Sequence, residues 1–94
     1  MNTYSIFLTE RAEEELYNTL EYLSQNWSAK ELTKFANRVD QALEKIRLNP
    51  ITYPLYSKSV RKFVIDKNNI VFYQLEGTQV QVLSIWATKR NLKK

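Results

Sequence analysis

The sequence predicts an α+β domain in the order β-α-α-β-β-β, with a helix hairpin packed on one face of a mostly antiparallel four-stranded sheet. Three observations predict it. Apolar residues recur every three or four positions from Ala12 to Ile46, which is helical spacing. From Val60 to Trp86 the period changes to two and β-branched and aromatic residues dominate. Between the two regimes lies a stretch with two prolines, PITYPLYSK at 50–58, that suits neither.

Residues 3–8, Thr-Tyr-Ser-Ile-Phe-Leu, are β-rich and too short for a helix, so they predict a first strand with Tyr4, Ile6 and Leu8 on one face. Thr9 ends it and caps a first helix, whose early Glu10 and Glu13 suit a helix N-terminus. Ala12, Leu16, Leu20, Leu23 and Trp27 form its apolar stripe, and the helix is expected to run to about Asn26. Ser28-Ala-Lys-Glu31 reads as a capping box, so a second helix is expected two residues after the first ends. Its stripe is Leu32, Phe35, Ala36, Val39, Leu43 and Ile46, with Lys45 and Arg47 at its C-terminal end before Asn49-Pro50 stops it. Three strands follow at Val60–Ile65, Ile70–Leu75 and Val80–Trp86, joined through Asp66–Asn69 and through Glu76-Gly77, where Gly77 supplies a positive φ. The simplest two-layer arrangement leaves the second face of the sheet open. On the first meander strand Arg61, Phe63 and Ile65 alternate with Val60, Lys62 and Val64. Either inward choice therefore exposes a cation beside apolar side chains, which is a partner-binding surface more often than a catalytic pocket.

Composition narrows the function. The 94-residue chain has room for one domain, 1–94, with a basic tail from about residue 87. It has neither Cys nor His, which excludes thiolate or imidazole zinc sites, cysteine proteases and the Ser-His-Asp triad. The single glycine, Gly77, leaves no dinucleotide fingerprint or P-loop, so no cofactor is expected. No apolar run approaches the roughly 20 residues of a membrane span, and the N-terminus does not read as a signal peptide; a cytoplasmic protein with no membrane partner is expected. The net charge of +4 is uneven, with −2 over residues 1–57 and +6 over 58–94, which directs the search for an acidic or polyanionic partner to the C-terminal third. The Glu13-Glu14-Glu15 run points around a helix and reads as a solvated face, not a metal cluster.

Thr9-Glu-Arg-Ala-Glu-Glu-Glu-Leu16 with Tyr22-Leu23, the Ser28-Ala29 to Phe35 opening of the second helix, Leu43 to Pro50, Val60-Arg-Lys-Phe63, Ile70-Val-Phe-Tyr73, and Val80 to Trp86 running into Lys89-Arg90-Asn91 stand in a telling order. In that order the chain resembles the RelE/ParE toxins of bacterial type II toxin-antitoxin systems, also known as plasmid stabilisation proteins, from about residue 4 to 91. The resemblance implies a growth-inhibiting toxin silenced by a cognate antitoxin, with which it forms a hetero-oligomer. RelE-like members cleave mRNA in the ribosomal A site, whereas ParE-like members poison DNA gyrase.

RNA cleavage by 2′-hydroxyl attack needs a base, cations for the developing charge and an acid for the leaving oxygen. The resemblance nominates Arg61, Tyr73 and Arg90 as catalytic groups if the chain is a nuclease, and Lys58, Arg61, Lys62, Lys89 and Arg90 for nucleic-acid or target binding. Each has a structural alternative. Arg61 contacts a phosphate or pairs with a helix carboxylate such as Glu44 or Asp40; Tyr73 is an acid or core packing. Lys89, Arg90, Lys93 and Lys94 engage a partner or solvate a tail, and Trp86 is core or an interface anchor. Gln74, Ser84, Trp86 and Thr88 stand where RelE-like nucleases tend to carry further basic residues and a late Tyr or His. The departure favours the ParE-like reading over the nuclease; a plain nucleic-acid-binding module is the remaining alternative.

Overall fold

The computed structural model describes residues 3–87. The elements are β1 (Ser5–Leu8), α1 (Glu10–Ser24), α2 (Ala29–Leu48), β2 (Val60–Asp66), β3 (Asn69–Glu76) and β4 (Gln79–Ala87), the order the sequence predicts. Both helices start at the expected caps: the Thr9 hydroxyl accepts from the Ala12 amide and the Ser28 hydroxyl from the Glu31 amide, each at 3.2 Å. The connection between them is longer than expected, Gln25–Ser28, because α1 stops at Ser24. Its last carbonyls, on Tyr22 and Leu23, turn to the amides of Gln25, Asn26 and Trp27.

The strand order is β1-β4-β3-β2, with β1 parallel to β4 and the other pairs antiparallel. Asp66 and Asn69, expected in a connection, pair with each other instead. The Asp66 carboxylate makes this possible by accepting from the Asn68 amide at 2.8 Å and the Asn69 side chain at 2.9 Å, which tightens the turn to Lys67-Asn68. Gly77 has φ +62°, as its turn requires.

The helices cover one face. Ala12 and Ile46 pack there against Val71, Tyr73, Val80, Val82 and Ile85, none more than 2% exposed, with Tyr4, Ile6, Leu8, Phe63 and Ile65 around them. A second cluster of Leu23, Phe35 and Val39 closes the hairpin under Trp27, whose ring meets Phe35 edge-on at 6.4 Å.

The alternation on β4 changes phase. Phe72 pairs with Ser84 but Tyr73 with Val82, leaving Leu83 as the extra residue of a bulge. The bulge lets Val80 and Val82 on one side of it, and Ile85 and Ala87 on the other, all face the helices. It also coincides with the end of β1, whose pairing stops at Leu8 opposite Val82. Beyond that point α1 completes the edge of β4. The Thr9 amide donates to the Val82 carbonyl at 3.0 Å and its hydroxyl to the Leu83 carbonyl at 3.3 Å. One oxygen of Glu15 accepts from the Ser84 hydroxyl at 2.7 Å and the Ile85 amide at 3.0 Å. Glu15 is therefore not part of a solvated acidic face: it replaces the strand neighbour that Ile85 lacks.

Candidate functional site

On the open face, α1, β2, β3, β4 and the connection between α2 and β2 enclose a groove of about 470 Å³. Its lining is mostly apolar, with Val60, Ile70, Phe72, Leu83 and Trp86 joined by Tyr56, Ser57, Ser84 and Arg11. Strand alternation places these residues: with Val71, Tyr73 and Ile85 turned to the helices, Ile70, Phe72 and Trp86 must turn away. Trp86 is 40% exposed and lines the groove, which favours the interface reading of that residue over the core one. Tyr56 leans over Phe72 edge-on, ring centroids 4.8 Å apart, and is itself 63% exposed. Lys62 shares this face opposite Phe72, and Lys58 lies exposed in the connection just before β2.

Arg61 points the other way. Alternation sets it on the side of Phe63 and Ile65, and its Nη1 donates to the carbonyls of Tyr53 at 2.7 Å and Ile51 at 3.2 Å. Neither expected partner is used: Glu44 is held by Arg47, 2.6 Å away, and that arginine also reaches the Tyr4 carbonyl. In place of a helix carboxylate, Arg61 is held by main-chain oxygens. An irregular connection has carbonyls without sheet or helix partners, and the two N–H groups of one guanidinium nitrogen can hold two of them.

Tyr73 faces Arg61 across the ladder and is fully buried. Its hydroxyl donates to the carbonyl of buried Pro50 at 2.6 Å. Burial pushes the phenol up to about 12, against a smaller pull downward from the Arg61 charge. Its proton is therefore held by a main-chain carbonyl inside the core. Arg61 and Tyr73 thus clasp the connection at Pro50, Ile51 and Tyr53, and the Tyr53 ring packs edge-on against Phe63 at 4.8 Å. Further along, the Tyr56 and Ser57 amides donate to the Val60 carbonyl and the Lys62 amide to that of Pro54. A stretch read as irregular is therefore pinned along much of its length.

Of the nominated residues, the structure gathers Arg61 and Tyr73 beneath the connection and Lys58 and Lys62 on its outer side. Lys89 and Arg90 lie outside the described residues. Sequence reading missed Tyr56, Phe72 and Arg11 as groove residues; the switch from Val-Gln-Val to Ser-Ile-Trp in β4 was the available signal for the bulge that shapes the groove. Among the described residues no group of three or more carboxylates is placed to hold a metal ion, and no helix is long and apolar enough to cross a membrane.

No curated protein matches the chain. Among solved structures it is similar to a chain of the chromosomal ParDE toxin-antitoxin system of P. aeruginosa, at TM-score 0.78 and 13% identity, over 90% of this chain and 96% of that one. It is also similar to the YoeB dimer of Staphylococcus aureus, at TM-score 0.61 and 14% identity, over 89% and 95%. At such identities the likeness speaks for a shared fold. Residues 6–92 match the model of the family described as the ParE toxin of the type II toxin-antitoxin system parDE, and with nearly the whole chain matched, this protein belongs to that family.

Proposed function

We propose that this toxin acts by binding a protein target, DNA gyrase, and does not cleave RNA. The observation that carries the reading is the use made of Arg61 and Tyr73. Of the three groups nominated for catalysis, the two among the described residues, Arg61 and Tyr73, are both committed to carbonyls of the α2–β2 connection. What faces outward above them is an apolar groove edged by Tyr56, Phe72 and Trp86. A surface of that kind buries side chains of another protein; it offers no acid–base pair for 2′-hydroxyl attack among the described residues. Membership of the ParE branch supports the same reading, since ParE-like toxins poison gyrase, and it supports neutralisation by an antitoxin partner.

Induced expression in a bacterial host, with bulk translation and the SOS response read separately, tests this. Growth arrest with filamentation and SOS induction is expected, with translation sustained at first. A prompt fall in translation with mRNA cut on ribosomes overturns it.

A further inference from the structure

From Lys45 to Ile65 the chain carries five cations, Lys45, Arg47, Lys58, Arg61 and Lys62, and no carboxylate. Two of the five have partners: Arg47 is paired with Glu44, and Arg61 with the carbonyls of Ile51 and Tyr53. Lys58 and Lys62 stand on the outer side without an acidic neighbour in the chain from Lys45 to Ile65. Within it, the part from Leu48 to Tyr56 displays Leu48 at 56% exposure, Ile51 at 59%, Leu55 at 55% and Tyr56 at 63%, half of the eight large apolar side chains exposed among the described residues. Large apolar side chains on a mobile loop are unremarkable. Here the backbone beneath them is held by Arg61, by Tyr73 and by the pairing of Leu55 with Arg61, so they are presented in one fixed arrangement. Preorganised apolar anchors beside unpaired cations are what a protein interface uses, because little ordering entropy remains to be lost on binding.

We infer that the α2–β2 connection and the strand and helix ends that flank it, from Leu48 to Lys62, form the surface by which the toxin engages its target. The face it fits is one where carboxylates flank large apolar side chains. The inference rests on the protein-target reading and specifies its contact surface. A nucleic-acid occupant fits less well: three of the four exposed apolar side chains are aliphatic and offer no ring for base stacking, and only Tyr56 does. The charge rules out a purely apolar partner, since it would leave Lys58 and Lys62 facing nothing.

Binding of the purified chain to immobilised DNA gyrase tests this, using Lys58→Glu, the double variant Ile51→Ser with Leu55→Ser, and Lys30→Glu as an equal charge change far from the surface, with thermal melting confirming that each folds. Lys58→Glu and the double variant are each expected to weaken binding by at least about tenfold, as loss of an interface anchor does. Lys30→Glu should bind as the unaltered chain does. Added salt should weaken binding of the unaltered chain more than that of Lys58→Glu, and a labelled duplex oligonucleotide should not bind the toxin itself in the absence of gyrase. Unchanged binding by Lys58→Glu and by the double variant, once folded, overturns this surface and leaves the gyrase reading standing. Binding of the oligonucleotide to the toxin alone, lost in Lys58→Glu, overturns it in favour of a nucleic-acid occupant. Failure of the unaltered chain to bind gyrase overturns the functional reading and this inference with it.

Discussion

The two faces of the sheet are built from similar side chains and meet opposite fates. Toward the helices, Val71, Val80, Val82 and Ile85 are sealed; away from them, Val64, Phe7 and Trp86 remain 40–53% exposed. The polar residues divide as well. On the sealed side Arg61 and Tyr73 are present, but each is satisfied by main-chain oxygen, so burial leaves no group unpaired. On the open side Lys62 and the nearby Lys58 keep their charge toward solvent. The difference teaches where specificity lies. The sealed face makes the fold and shapes the connection, and the open face is left available for what the fold is to meet.

The largest expected contrast is between the faces themselves. Ile46→Ala, at a site with no exposure, should cost about 2–5 kcal/mol in chemical denaturation, whereas Val64→Ala on the open face should stay within about 0.5 kcal/mol. Equal losses would mean that the open face is packed as tightly as the core. Next comes Tyr73→Phe, which orphans the buried Pro50 carbonyl and should lower stability by about 1–3 kcal/mol. The same residue gives a pH signature. Its folded value of about 12 lies above the ordinary 10, so between them the folded chain keeps a proton that the unfolded chain has lost. The stability this represents is complete below pH about 10 and is lost as pH rises toward about 12. The difference between the unaltered chain and Tyr73→Phe in denaturation midpoint should therefore shrink across that window.

Glu15→Ala removes the acceptor that stands in for a strand beside Ser84 and Ile85 and should cost about 1–2 kcal/mol, with amide exchange at Ile85 accelerated. Glu14→Ala, one position away and exposed, should have almost no effect, which separates the engaged carboxylate from its solvated neighbours. A modest effect is expected at the β3–β4 turn. Gly77→Ala meets no atom within 4 Å, so only the cost of a positive φ remains, about 1 kcal/mol in thermal melting.

Much of the fold was legible because it follows from local rules. The helix caps at Thr9 and Ser28, the apolar stripes and the glycine turn act over a few residues and compete with nothing. The β4 bulge was harder, since it answers a distant fact: β1 is short, and α1 takes over the edge of β4 where β1 stops. Glu15 was misread for the same reason, its partners being some seventy residues away in the chain. Arg61 shows the limit most clearly. The sequence offers two alternating faces with a cation on each, and what turns Arg61 inward is the presence of carbonyl partners on a connection whose path no period announces.

The central claim is that Arg61 and Tyr73 shape a binding surface and perform no chemistry. Growth inhibition by the Tyr73→Phe chain, induced at a temperature well below its own melting point, tests this most directly. The folded variant should still arrest growth, because the phenol only holds the Pro50 carbonyl. A variant that is folded and as abundant as the unaltered chain, yet leaves growth untouched, would contradict it and return Tyr73 to the role of a catalytic acid.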